Sequence, residues 1–323
     1  ANACTGERGY ADAQTTAGMV AEGIGARAEE VCVLSTGVIG LPLPMDRIAI
    51  GVQGCLASLR ADGSPDASAA IMTTDTVPKE IAVELALADG TVRLGAIAKG
   101  AGMIAPNMAT MFCLITTDAA IEPEPLARLL RESVAVSFNQ MCVDNDMSTS
   151  DSVICLANGA SGVPVLQPDT GDFAQFAEAL HAVCIHMAKS LVRDGEGATK
   201  FVEIAVSGAA SSDEAKSIAR AIATSQLCKT AFFGQDPNWG RFACAAGYSG
   251  ATFDPEELCM WIDDVQVMRD GMPAAYEEAD AAACMLKREF RIRVEVGNGP
   301  GDAVFWTSDL SHGYVEINAD YRT

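Results

Sequence analysis

Two apolar runs, at residues 81–87 and 92–97, are separated only by Ala88-Asp89-Gly90-Thr91. A short glycine-bearing turn between two such runs folds naturally as an antiparallel hairpin. Helical spacing recurs on both sides of it. Residues 10–28 are alanine-rich, with Ala11, Ala17, Met19, Val20 and Ile24 at helical intervals, and 46–61, 123–139 and 173–192 repeat the pattern. A further helix is predicted over 212–225, begun by a Ser-Asp-Glu cap. Short strands are expected at 31–34, 114–117, 153–156 and 202–206, and residues 286–297 and 313–318 alternate apolar with polar. Helices interleaved with antiparallel strand signals predict a layered α/β fold.

Composition narrows the function. With 323 residues, 49% hydrophobic and 20% charged, the chain is long enough for one large domain or two modest ones and has a globular balance. A net charge of −21 argues against nucleic acid and anionic membranes as partners. It suits a small cationic substrate or simply a well-solvated surface. Eleven cysteines, none in a C-x-x-C pair, sit mostly in apolar runs such as Val31-Cys32-Val33-Leu34 and Ile154-Cys155-Leu156. They read as small buried hydrophobes in a reducing, cytoplasmic setting, with no zinc or disulfide pattern. His181 and His186 are five apart and so on different helix faces, poor metal partners. No membrane span or leader pattern is visible. The opening Ala1-Asn2-Ala3-Cys4-Thr5-Gly6 reads as a strand end entering a turn, so the chain is expected to start partway through a longer protein.

The chemistry concentrates between Lys99 and Thr110, where Lys-Gly-Ala-Gly-Met-Ile-Ala-Pro-Asn-Met-Ala-Thr joins a β-rich stretch to an apolar run. Gly100, Gly102 and Ala105 make a weak dinucleotide fingerprint: Pro106 follows at once and no helical pattern opens at Gly102. No phosphate-binding loop and no G-x-S-x-G elbow is present. A threonine can supply its own base if it becomes a chain terminus, because a free α-amine titrates near ~8. Cleavage between Ala109 and Thr110 would create one, and Gly100 and Gly102 permit the strained loop this needs. Taken blind, Ala-Thr is an ordinary dipeptide.

The segment 99–117 resembles the autoprocessing site of the glutamate N-acetyltransferase family, also called ornithine acetyltransferase. The likeness runs in order along essentially the whole chain. It includes Asn2-Ala3-Cys4-Thr5-Gly6, Ser35-Thr36-Gly37-Val38-Ile39-Gly40, Thr73-Thr74-Asp75-Thr76 with Pro78-Lys79-Glu80, and Phe138-Asn139-Gln140. Asp194-Gly195-Glu196-Gly197-Ala198-Thr199-Lys200, Asp236-Pro237-Asn238-Trp239-Gly240-Arg241 and the closing Asn318-Ala319-Asp320-Tyr321-Arg322-Thr323 continue it. The resemblance implies acetyl transfer from N-acetylornithine to glutamate in cyclic arginine biosynthesis, with acetyl-CoA as a possible co-substrate and no other cofactor. It implies a layered α-β-β-α sandwich resembling N-terminal-nucleophile hydrolases, with a second, smaller α/β domain. Cleavage would leave residues 1–109 and 110–323 associated, as an α2β2 heterotetramer, and the structural domains are expected at 1–195 and 196–323.

Roles carry over singly. Thr110 matches the nucleophile, Ala109 the residue before the cut, and Thr36 and Gly37 the oxyanion-hole pair. Thr73, Lys99, Glu196, Asn318 and Thr323 match substrate contacts, with Thr74 close enough to replace Thr73. Lys99 would meet an amino-acid carboxylate and Glu196 the ornithine ammonium. Each has a plainer reading: a strand-ending turn at Thr36-Gly37, a solvated Lys99, a surface acid at Glu196, tail residues at Asn318 and Thr323. A related self-processing aminopeptidase, which gives its acyl group to water, and a non-catalytic derivative are the alternatives. Asp144-Asn145-Asp146 with Ser148 and Asp151 lacks the glycine and distal glutamate of a calcium loop, so no metal is expected. The family pattern has Gly in place of Asn145 and Asn in place of Ser150, and it carries a substantial stretch before Asn2. Asp236–Arg241 reads as a dense turn with Trp239 as a packing anchor.

Overall fold

The structure, a computed structural model, describes residues 1–105 and 111–320. Its helices are α1 (Gly6–Ile24), α2 (Met45–Ala57), α3 (Ser64–Ala70), α4 (Pro123–Ala135), α5 (Gly171–Arg193), α6 (Ser212–Thr224), α7 (Gln226–Gly234), α8 (Trp239–Gly247), α9 (Glu278–Leu286) and α10 (His312–Asp320). Its strands are β1 (Lys79–Leu87), β2 (Gly90–Lys99), β3 (Phe112–Thr117), β4 (Met141–Cys142), β5 (Ser152–Ala157), β6 (Phe201–Ala209), β7 (Cys259–Ile262), β8 (Val265–Arg269), β9 (Met272–Pro273), β10 (Glu289–Glu295) and β11 (Gly301–Ser308).

The hairpin forms as the sequence predicts, β1 pairing β2 from Lys79↔Ala98 to Leu87↔Gly90. Gly90 closes it at φ +146, a region that favours glycine. A four-stranded sheet grows from this hairpin in the order β1-β2-β3-β5, with β3 antiparallel to β2 and parallel to β5. Ile81, Val83 and Leu85 of β1 turn toward the core while Glu80, Ala82, Glu84 and Ala86 are exposed, the period-2 pattern of a half-buried strand. Helices α4 and α5 cover the core face. Helix α5 buries Phe176, Leu180, Val183, Cys184, Met187, Ala188, Leu191 and Val192, a three-and-four spacing that wraps one face. Each large apolar side chain among them contributes ~1.5–3 kcal/mol by leaving water.

The second sheet has seven strands in the order β4-β11-β6-β10-β7-β8-β9. Strand β6 runs parallel to β10 and antiparallel to β11. Helix α6 packs on β6 and β11, and Ser211 caps it by accepting the Glu214 amide at 3.2 Å. Its apolar stripe (Ala215, Ile218, Ala219, Ile222, Ala223) joins Phe232, Phe242 and Phe290 in a second core.

Six expectations need correction. No strand forms at Val31-Cys32-Val33-Leu34 or at residues 1–3, because none of these residues finds a ladder partner among the described residues. Cys32 is consequently exposed, not buried. The alternation at 313–318 belongs to helix α10, whose inward pair Tyr314 and Asn318 is spaced i, i+4. Helix α4 stops at Ala135, and a separate 3₁₀ turn holds Phe138–Gln140. Only the first half of Asp236–Arg241 is a turn, since Trp239 opens α8 while packing against the second core.

Candidate functional site

A cleft of about 690 Å³, counting its open mouth, is lined by Thr36, Gly37, Thr73, Thr74, Lys99, Glu196 and Asn318 together with Ala101, Gly102, Met103, Ser148 and Ser150. Six candidates drawn from distant parts of the sequence thus meet at one place. Ala109, Thr110 and Thr323 lie outside the described residues. Ile104, Ala105 and Met111, the nearest described residues on either side of 106–110, are buried in the first core.

Lys99 ends β2, and its side chain is buried; the solvated reading fails. Its ammonium donates to Thr73 Oγ1 at 2.9 Å and takes no carboxylate partner among the described residues. Burial pulls its pKa below the ordinary lysine value, opposed by the charges of Asp75, Glu196 and Asp151 and reinforced by Lys79. A buried ammonium with one neutral acceptor is a place for a substrate carboxylate. Both Thr73 and Thr74 line the cleft, and the hydrogen bond to Lys99 distinguishes Thr73.

Glu196 is buried as well. Its amide donates to the Ala101 carbonyl at 2.8 Å, which ties the glutamate to the loop after β2. Asn318 Nδ2 donates to Glu196 Oε2 at 2.8 Å from helix α10. Gly102 leaves the room this requires, since a Cβ there would lie 2.3 Å from Glu196 Oε2. Gly37 sits at φ +142, so the turn after Thr36 needs its glycine.

Two carboxylates of the acidic run at 144–151 accept backbone amides. Asp144 is half surrounded by backbone donors, accepting the amides of Met103 at 2.6 Å and Ile104 at 2.8 Å. Tyr314 donates to it from α10 at 3.3 Å. Asn145 adopts φ +68, which explains how glycine serves at this position in the family pattern and why asparagine replaces it tolerably. Asp151 Oδ1 accepts the amide of Met111 at 2.9 Å, and burial pushes its carboxyl up to about 6. Among the described residues no group of three or more His, Cys, Asp or Glu side chains is arranged to hold a metal ion. No helix among them is long and apolar enough to cross a membrane.

Sequence reasoning missed Met103, Ser148 and Ser150 in the cleft wall and the carboxylates behind it. The available signal was Asp75 and Lys79, four residues apart within the stretch Thr73–Glu80.

Two helix-bearing sheets, with a small cleft lined by a buried lysine and a buried glutamate, define a layered α/β protein. The pattern that defines the ArgJ family matches residues 1–323. The "Arginine biosynthesis bifunctional protein ArgJ" of Symbiobacterium thermophilum is 50% identical over 323 residues, 100% of this chain and 80% of that one. The protein of the same name from Geobacter sulfurreducens is 50% identical over 325 residues, 100% of this chain and 82% of its own length. The crystal structure of arginine biosynthesis bifunctional protein argJ from Bacillus halodurans superposes with a TM-score of 0.63 at 38% identity, covering 65% of this chain and 98% of that one. The chain belongs to the ArgJ family.

Proposed function

We propose that this cleft moves an acetyl group between amino acids in arginine biosynthesis: N-acetylornithine gives it to Thr110, and glutamate takes it away. The observation that carries the reading is the pair of oppositely charged, buried side chains, Lys99 and Glu196, lining one cleft. The names of the relatives support the pathway.

In the first half-reaction the Thr110 Oγ attacks the acetyl carbonyl, and its proton passes to the free α-amine of the same residue. Thr36 and Gly37 donate to the oxygen that becomes negative, a contribution whose loss typically costs ~10²–10³ in rate. The C–N bond of N-acetylornithine breaks and ornithine leaves with the proton. In the second half the glutamate amine attacks the threonyl ester, and Thr110 regains its hydrogen. Lys99 and Thr73 hold a substrate carboxylate, Glu196 and Asn318 the ornithine ammonium, and Thr323 closes the set from the chain end. The word "bifunctional" in the relatives' names favours a second activity, in which acetyl-CoA supplies the acetyl group to glutamate.

Prior cleavage between Ala109 and Thr110 frees the amine. The resulting pieces, 1–109 and 110–323, stay together because β2 and β3 pair across the cut, Lys99↔Phe112 through Leu94↔Thr117. An α2β2 assembly, a two-unit division at 195 and 196, and a cytoplasmic setting complete the reading; eleven free cysteines accord with the last.

Mass spectrometry of the purified protein tests the core of it. The wild type is expected as two fragments, one beginning at Thr110, and Thr110→Ala as a single uncut chain without acetyl transfer. Normal processing of that variant sinks self-cleavage. Parallel double-reciprocal lines and little free acetate at saturating glutamate are expected. Acetate release indifferent to glutamate would assign the chain to hydrolysis instead.

A further inference from the structure

We propose that Asp75, Lys79 and Asp194 form a buried ionic clasp that fixes the span between the Thr73–Lys99 arm and the Glu196 arm of the cleft. The inference rests on the acetyl-transfer reading above and assigns three positioning residues to it.

All three side chains are withdrawn from water, at 0% exposure for Asp75, 1% for Lys79 and 6% for Asp194. Lys79 Nζ donates to Asp75 Oδ1 at 2.7 Å and to Asp194 Oδ2 at 2.5 Å. The remaining acceptor capacity is taken by the chain itself. Asp75 receives the amides of Thr73 at 3.1 Å and Gly100 at 2.7 Å. Asp194 receives the amide of Thr76 at 3.0 Å, that of Val77 at 3.4 Å and the Thr76 hydroxyl.

The connectivity gives the clasp its function. Thr73 and Gly100 are the two backbone points that flank the Lys99–Thr73 hydrogen bond, and one carboxylate holds both. Asp194 precedes Glu196 by a single residue between them. Lys79 joins Asp75 to Asp194, which lies 115 positions beyond the lysine in sequence, and so spans the cut expected before Thr110. A zwitterion read at both ends requires the distance between its readers to be fixed, and misplacement by about 1 Å can cost ~10²-fold. Hydrophobic packing at this place would stabilise the fold as well or better than buried ions do. What it would not supply is directional anchoring of four amides.

Two carboxylates against one ammonium also leave a negative charge behind Lys99. The charged groups acting on Lys99 are Asp75, Glu196 and Asp151, which favour its ammonium form, and Lys79, which opposes it. Removing the charge of Asp75 should therefore lower the pH at which Lys99 loses its proton.

The test uses the full, self-processed chain and measures kcat and KM for N-acetylornithine with glutamate from pH 6 to 10. Asp75→Asn should raise KM at least about tenfold, change kcat much less, and move the alkaline limb of kcat/KM to lower pH by roughly half a unit or more. Lys99→Met is the control for the reading itself. An active wild type, an impaired Lys99→Met and an Asp75→Asn with wild-type KM and limb overturn the clasp alone. An Asp75→Asn that loses thermal stability and kcat with an unmoved limb also overturns it, since a purely structural role would act that way. A wild type unable to transfer acetyl, or one indifferent to Lys99→Met, overturns the underlying function. Should Asp75→Asn fail to fold, Thr76→Val decides, because it keeps every charge and removes only a hydroxyl donor to Asp194. A several-fold rise in KM with unchanged melting temperature supports the clasp, and an unchanged KM overturns it.

Discussion

Among the described residues, the first 70 pack more thinly than the body that follows. Helix α2 buries none of its 13 residues and α1 buries only Gly9, Ala17 and Ala21. Ile50, Leu59, Leu41 and Tyr10 stand 72%, 71%, 55% and 66% exposed. Helix α5 by contrast buries eight residues in the first core. The cleft draws on both regions. Thr36 and Gly37 come from the thinly packed arm, whereas Lys99 and Glu196 are set in strand ends and loops backed by buried charge. The half proposed to read the substrate is thus anchored independently of the half proposed to stabilise the oxyanion.

The comparison breaks first on stability. Phe176→Ala should cost ~3–5 kcal/mol, the usual cost of emptying a fully packed aromatic site. Ile50→Ala should fall within about 0.5 kcal/mol of wild type. Chemical denaturation of both variants checks the pair. A cost above ~1 kcal/mol at Ile50 would mean that the apolar side of α2 is covered in solution, and the contrast between the regions would weaken.

Kinetics sharpens it next. Gly37→Ala places a side chain at φ +142, a strain of ~1–3 kcal/mol that shifts the turn proposed to carry the oxyanion donors. Its effect should fall on kcat, on the order of 10²-fold, with KM little changed. Gly102→Ala acts on the other arm. Its Cβ would meet Glu196 Oε2 at 2.3 Å, so the carboxylate must leave Asn318. There KM for N-acetylornithine should rise about tenfold, the worth of one hydrogen-bonded charge contact. If both variants changed kcat and KM alike, the arms would not be independent.

Long, periodic elements were legible in the sequence. The 88–90 turn and the stripe of α5 announce themselves through local spacing, whereas the cap of α6 falls on Ser211, one residue before the predicted Ser-Asp-Glu. Six candidate site residues identified by resemblance line one cleft, because a family motif carries tertiary information that spacing does not. Short elements were not legible. Cys259–Ile262 is four residues long, too short to show a period, and 313–318 fits both a strand and the helical pair Tyr314 and Asn318. Partnerships across the chain escaped for a different reason. Asp75 and Lys79 are neighbours in sequence, but their third member is more than a hundred residues away, and Tyr314 meets Asp144 across 170. An acid run reads the same in sequence whether its carboxylates face a cation or backbone amides, as Asp144 and Asp151 do.

Asp151 lies at the seam between the two regions and supports the smallest effect. It shares a second, polar cleft with Asn2, Ala13, Val33, Leu34 and Ser35 of the thin arm, while its Oδ1 takes the Met111 amide at the start of β3. Burial raises its carboxyl from 3.8 to about 6, against the backbone donors Met111 and Ser148 and the charge of Lys99, which pull it down. Between those values the folded chain keeps a proton that the unfolded chain has released. The stability this brings is complete below the unfolded value and is lost as pH rises through about 6. Asp151→Asn is neutral throughout and still accepts from Met111. The melting temperature of the variant, taken relative to wild type, should therefore be higher at pH 8 than at pH 5. Because Asp151 is only half-buried, solvent screening holds the difference to on the order of 1 kcal/mol, a few degrees at most. Oδ2 is buried without a hydrogen-bond partner among the described residues, so the substitution breaks no observed bond there. A gap that instead shrinks as pH rises would place a cation against Oδ2, and the seam would then be held by an ion pair and not merely by a strained carboxylate.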